Sequence, residues 1–141
     1  MTNYRSTCSG LLKQINDHIE KAANNTLRAG NLTISQIAVL LALDHAAAGT
    51  LTMKDLKDGF DVTQPTMFGI VKRLSQKELV ICFDNPADRR TKMVQLTDAG
   101  REKCRFGYVH MESAEEELLR ALDAQERAEF RRLLEKIHAS M

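Results

Sequence analysis

Residues 61 to 97, DVTQPTMFGIVKRLSQKELVICFDNPADRRTKMVQLT, change hydrophobic period once, from that of a helix to that of a strand. No other stretch constrains the fold as tightly. Thr63 is suited to be a helix N-cap, and Pro65 stands in the first turn, where its missing N–H costs little. Met67, Ile70, Val71 and Leu74 then recur at helical spacing and mark a core-facing stripe. The opposite face carries Gln64, Thr66, Phe68, Lys72 and Arg73, several of which can donate hydrogen bonds to base edges or phosphates. After Lys77 the pattern predicts two strands, over 79–83 and 91–96. They are joined by Asp84-Asn85-Pro86-Ala87-Asp88-Arg89-Arg90, a connection rich in turn formers and charge. A surface helix followed by a hairpin with paired arginines at its tip predicts a winged helix-turn-helix, and with it a protein that binds DNA.

The remaining chain reads as helix. From Ser9 to Arg28, Leu12, Ile15, Ile19, Ala22 or Ala23, and Leu27 repeat every three or four residues, with Gly30 at the expected C-cap. Residues 1 to 8 are polar and expected to fray. Thr33-Ile34-Ser35-Gln36 is a capping box opening a second helix, whose stripe is Ile37, Leu40, Leu41 and Leu43. His45 to Gly49 is expected to be a loop. Thr52 caps a short helix that stops by Gly59, so that it and the helix at Thr63 form the helix-turn-helix pair. Thr97 opens a long helix from Asp98 to about Leu122, with Cys104, Tyr108, Met111, Ala114 or Glu115, and Leu118 as a possible stripe. Asp123-Ala124-Gln125-Glu126 is a further capping box, and Phe130, Leu133, Leu134 and Ile137 give the last helix an apolar face. The predicted organisation is one domain over 1–141. A winged helix-turn-helix at 32–100 is flanked by helical dimerisation regions at 9–29 and 98–139. Apolar stripes on these flanking helices suggest a homodimer, which would place two reading helices one DNA turn apart on a pseudo-palindrome.

With 141 residues the chain can bury a proper core without disulfide or metal. Cys8, Cys82 and Cys104 include no CxxC pair, which argues against a disulfide framework and a zinc ribbon. Cys82 and Cys104 are expected to be packing residues. His18, His45, His110 and His138 are scattered, with no HxxxH pair, and there is no phosphate-binding glycine loop or nucleophile elbow. No metal, cofactor or enzymatic activity is therefore expected. No apolar run has the length of a membrane span, and MTNYRSTCSG lacks the apolar core of a secretory signal, so a cytoplasmic location is expected. The net charge of +1 says little as a total. Its distribution says more: Lys72, Arg73, Lys77, Arg89, Arg90 and Lys92 cluster in the stretch described first, while Glu112, Glu115, Glu116 and Glu117 crowd a later helix.

Several linked motifs resemble the MarR family. Leu32-Thr33-Ile34-Ser35-Gln36-Ile37-Ala38-Val39-Leu40 is similar to its LT-x-x-Q-x-x-x-L opening. Thr52 to Leu56, Pro65-Thr66, Ile70 to Leu74, Lys77 to Val80, Asp84 to Arg90 and Val94 to Gly100 continue in register. The resemblance spans about 32 to 100. It implies a homodimeric transcription regulator, usually a repressor, that dimerises through its terminal helices and is often released from DNA by small phenolic or other ligands, or by oxidants. It further implies that Thr63, Gln64, Thr66, Phe68 and Gly69 face the major groove. By the same resemblance Arg89 would enter the minor groove, with Asp88 helping to hold the wing. The chain departs from the family pattern at Glu78, where a glycine is usual, and at Cys82, where a basic residue is frequent. It departs again at Lys57, usually small, and at Phe68, usually Thr or Ser. These departures bear on the target sequence more than on the fold.

Individual residues admit competing readings. Arg89 and Arg90 alone would be a solvated turn, but two strands and a basic helix around them favour a DNA-reading wing. Lys72 and Arg73 suit phosphate contact, and equally suit a helix C-terminus that favours cations. Gly69 costs its helix about 1 kcal/mol relative to alanine. A close approach by DNA or by a neighbouring helix would offset that. Phe68 either meets a thymine methyl or tucks against the wing. Cys8, near a helix start, is a candidate redox switch or an ordinary small side chain. From a different class, a winged helix with a weakened basic surface serves as a protein–protein interaction or antagonist module.

Overall fold

The computed structural model describes residues 3–141. Five helices are opened by side chains that accept a hydrogen bond from the backbone amide three residues on. Thr33 accepts from Gln36 (3.2 Å), Thr52 from Asp55 (2.9 Å) and Thr63 from Thr66 (3.3 Å); Thr97 accepts from Gly100 (3.0 Å) and Asp123 from Glu126 (2.9 Å). Each removes one of the unpaired donors that every helix start carries. The elements are α1 (Cys8–Ala29), α2 (Ile34–His45), β1 (Thr50–Thr52), α3 (Met53–Gly59), α4 (Gln64–Gln76), β2 (Val80–Asn85), β3 (Asp88–Leu96), α5 (Asp98–Leu119) and α6 (Ala124–Ala139). The mostly helical winged helix-turn-helix class read from the sequence is the class observed.

The chain forms two compact units: residues up to Ile19 with Met111–Met141, and Glu20–His110. The second unit contains the core. Leu27, Leu40, Leu43, Leu56, Met67, Val71, Leu74 and Val94 are fully or almost fully buried there, each contributing about 1.5–3 kcal/mol by leaving water. Helix α2 runs through it, with Ile37, Val39, Leu40, Leu41 and Leu43 buried. Asp44 at its end accepts hydrogen bonds from Arg101 (2.9 Å) and the Tyr108 hydroxyl (2.9 Å), both on α5. Burial, and then the bond to Asp44, raise the Tyr108 phenol above its ordinary pKa. In the other unit α6 runs back against α5, with Arg127 bonded to both carboxylate oxygens of Glu116 (3.1 and 3.3 Å).

The sheet has three strands in the order β1-β3-β2, all antiparallel, rather than the two of a bare hairpin. Leu51 pairs with Val94 and Thr52 with Met93, so β1 ties the base of the wing to the start of α3. The hairpin is also longer than its apolar alternation implied, because β2 and β3 continue through the charged residues to a turn at Pro86 and Ala87. The Asn85 side chain accepts from the Ala87 amide there (3.0 Å), a local bond that asparagine favours in turns.

Three further expectations change. The left-handed residue after α1 is Asn31 (φ 59), and the Leu32 amide bonds back to the Leu27 carbonyl, so Asn31 takes the place assigned to Gly30. His45 to Gly49 includes a 3-10 turn at Ala47–Gly49. The frayed N-terminus falls partly on residues 1 and 2, outside the described residues; beyond them Tyr4–Ser6 form a 3-10 turn capped by Asn3.

Candidate nucleic-acid interface

Helix α4 buries Met67, Val71 and Leu74 and leaves Gln64, Thr66, Phe68, Lys72 and Arg73 in solvent. The amphipathic stripe therefore divides the helix as its spacing required. Thr63 is used at the cap: its Oγ1 accepts from the Thr66 amide and donates to Thr66 Oγ1 (2.8 Å). Phe68 is 58% exposed, a large apolar surface on an otherwise polar face. Gly69 beside it is half-buried, and a Cβ built there would meet nothing within 4 Å beyond its chain neighbours and its own helix backbone. The neighbouring-helix reason for this glycine is thereby removed.

The wing tip departs from regular pairing. Asp84 pairs with Lys92, and the next residue, Asn85, pairs with Asp88, so Arg89, Arg90 and Thr91 bulge out of the ladder. Asp88 gathers this bulge. Its carboxylate accepts from the Arg90 amide (3.1 Å), Arg90 Nε (3.2 Å) and the Thr91 hydroxyl (3.3 Å). These bonds, the Arg90 amide first, hold its carboxyl below the ordinary aspartate range. The ion partner of Asp88 is Arg90, and the Arg89 side chain makes no ion pair or hydrogen bond among the described residues.

Between α3, the start of α4 and the wing lies an open groove of ≈ 750 Å³. Met53, Pro65 and Phe68 give it an apolar floor, and Lys54, Lys57, Arg90 and Lys92 line it with positive charge. Phe68 and the wing thus share one groove. Lys54 and Lys57 were not among the candidate contact residues. Their signal was faint, since i,i+3 lysines on a short helix look like solvated charge, and Asp58 pairs with both (3.7 and 3.3 Å). Lys92 pairs across the hairpin with Asp84 (2.5 Å).

Lys77 belongs to the scaffold instead. It donates to the carbonyl of Asn31 and to Gln36 Oε1 (2.8 Å), satisfying a glutamine that is only 4% exposed. Burial, then Arg73 and Lys103, lower its pKa. The cysteines divide too. Cys104 is buried, its thiol donating weakly to the Leu40 carbonyl (3.5 Å), and burial pushes its pKa up to about 11. Cys82 is exposed, not packed as expected, because β2 is an edge strand and core cover ends before the wing. Cys8 is exposed at the first residue of α1. No single helix among the described residues is long and apolar enough to cross a membrane.

Comparison with known proteins agrees with this geometry. The MarR family profile matches residues 30–91. The chain is 35% identical over 112 residues to YwoH of Bacillus subtilis, an uncharacterised HTH-type transcriptional regulator, covering 77% of this chain and 80% of that one. Among solved structures it resembles a cysteine-to-serine variant of MarR from E. coli complexed with operator DNA (TM-score 0.85, 26% identity, 97% and 99% coverage). It also resembles Bordetella bronchiseptica BpsR, described for the regulation of its DNA binding by 6-hydroxynicotinic acid (TM-score 0.86, 25% identity, 98% and 97% coverage). Helix α4 exposed on its polar face, a wing with a displaced arginine, and this set of relatives lead to one assignment: the chain belongs to the MarR family of winged helix-turn-helix transcription regulators.

Proposed function

We propose that the protein is a homodimeric, ligand-responsive repressor, acting in the cytoplasm on a pseudo-palindromic operator. The observation that carries the reading is the pairing of an outward polar and basic face on α4 with a wing whose bulge displays an unpaired Arg89. Gln64, Thr66, Phe68 and Gly69 face base edges, with Thr63 fixing the start of the helix. Lys72 and Arg73 hold phosphates, and Arg89 enters the flanking minor groove while Asp88 and Arg90 shape the bulge. Dimerisation uses the exposed apolar residues of the terminal helices, among them Leu11, Leu12 and Ile15 of α1 and Leu133, Leu134 and Ile137 of α6. The effector is a small molecule, by analogy with BpsR. It acts by binding one spacing of the two reading heads better than the other.

The test is fluorescence anisotropy on the protein's own upstream DNA, with wild type and Arg89→Ala, at low and moderate salt, beside a scrambled duplex. Specific binding should weaken steeply with salt, by about 10³-fold or more between 50 and 200 mM for six or more phosphate contacts. Arg89→Ala should cost about tenfold or more. Equal binding to scrambled DNA, unchanged by the substitution, would count against this operator and wing contact. A genome-wide selection that also found no preferred site would favour an interaction module instead.

Exposed Cys8 supports a second switch, in which oxidation at the start of α1 releases DNA. A Cys8→Ser variant that still responds to peroxide would rule it out.

A further inference from the structure

Gln64 and Phe68 stand four residues apart on α4, one helical turn, both exposed, in the N-terminal half of the helix that enters a major groove. Their chemistry is narrow. A glutamine amide matches the N6 donor and N7 acceptor of adenine, and an apolar ring has one partner on a base edge in that groove, the C5 methyl of thymine. The residue types that read guanine stand at Lys72 and Arg73, about one turn beyond Phe68 and two beyond Gln64, where the reading above gives them phosphates. Thr66 is tied to Thr63 through both its amide and its hydroxyl oxygen, so it competes less for base contact. Gly69 leaves no side chain beside the Phe68 ring, so the helix backbone can approach the base pairs closely enough for the ring to touch a methyl group.

We propose that Phe68 is a specificity-determining residue that reads a thymine methyl, with Gln64 on a neighbouring adenine, so that each half-site carries an A·T step in the major groove under the start of α4. This rests on the DNA-binding reading above. It accounts for a phenylalanine that leaves 58% of its surface in water beside the apolar floor of Met53 and Pro65.

The experiment begins with selection of preferred duplexes from a random pool by the full-length protein. Each thymine of the selected site is then replaced, one at a time, by deoxyuridine, which removes the C5 methyl and nothing else. Anisotropy titrations compare wild type, Phe68→Ala and Phe68→Leu. One thymine in each half-site should lose about three- to tenfold in affinity for wild type on losing its methyl. Phe68→Ala should bind the unmodified site as weakly and be indifferent to that uracil, and Phe68→Leu should retain part of the sensitivity. Circular dichroism should be unchanged, because the ring is exposed. A selected site that tolerates uracil at every thymine, or a uracil effect that persists undiminished in Phe68→Ala, would overturn the methyl contact while leaving the regulator reading intact. Failure to select any preferred duplex would overturn the regulator reading and this one with it.

Discussion

Two residues show how much one position can decide. Glu78 adopts φ 61, a left-handed conformation that costs an L side chain and costs glycine little. It stands two residues past the end of α4, where the chain turns towards β2, and its carbonyl accepts from the Thr97 hydroxyl (2.8 Å). Glu78→Gly should therefore raise stability by about 0.5–1 kcal/mol, read as a higher denaturant midpoint with an unchanged slope. An unchanged or lower midpoint would show that the strain is relieved elsewhere. Asp88 makes a prediction in pH. Its folded pKa is depressed, chiefly by the Arg90 amide and side chain, so the clasp contributes fully above the ordinary aspartate range near about pH 4. That contribution is lost as pH falls through the lowered folded value. A carboxyl-detected NMR titration should find the Asp88 midpoint below the ordinary aspartate value. A midpoint at that ordinary value would remove the clasp.

Among the elements, packing is close where the start of α5 meets the sheet. A Cβ on Gly100 would lie 2.1 Å from the Leu79 carbonyl oxygen and 2.7 Å from Leu96 Cδ1, with backbone rather than a flexible tip in the way. Gly100→Ala should cost about 1–3 kcal/mol through this overpacking, seen in thermal or denaturant unfolding. A neutral substitution would mean that α5 can shift without loss. Legibility in the sequence also divides by element. Helices α2, α4 and α6 declared themselves because a capping side chain and an apolar stripe coincide in each, and α3 by its Thr52 cap and its stop at Gly59. Strand β1 did not, since Thr50-Leu51-Thr52 offers one apolar residue and gains its partner Val94 only through the fold. The wing was found, but its charged tip concealed both the length of the strands and the bulge at Arg89, Arg90 and Thr91. Lys77 looked like its basic neighbours, and only its distant contacts with Asn31 and Gln36 reveal it as a strut.

At the scale of the whole molecule, the decisive prediction concerns assembly. Leu133, Leu134 and Ile137 stay exposed on α6, as do Leu11, Leu12 and Ile15 on α1, an arrangement that a lone chain in water has no reason to keep. If the proposed dimer forms through these faces, Leu134→Glu should yield a monomer in sedimentation velocity while helical circular dichroism is retained. Its affinity for a two-half-site operator should fall by about 10²-fold or more, because the second head is no longer tethered. A variant that stays dimeric would move the interface away from α6. The apolar stripes of the terminal helices were readable as surplus to a winged helix. No single sequence could say what covers them, since a stripe on a lone helix has the same period whichever surface it meets.

The order of the sheet carries a consequence for synthesis. The central strand, β3, is the last of the three to leave the ribosome, and β1 has nothing to pair with until β3 arrives. Helices α2, α3 and α4 therefore emerge with the base of α3 unanchored. The cost of closing the long loop from Leu51 to Val94 falls due in a single late step. Until the wing is complete, the nascent chain carries α4 without the sheet that braces its neighbour α3.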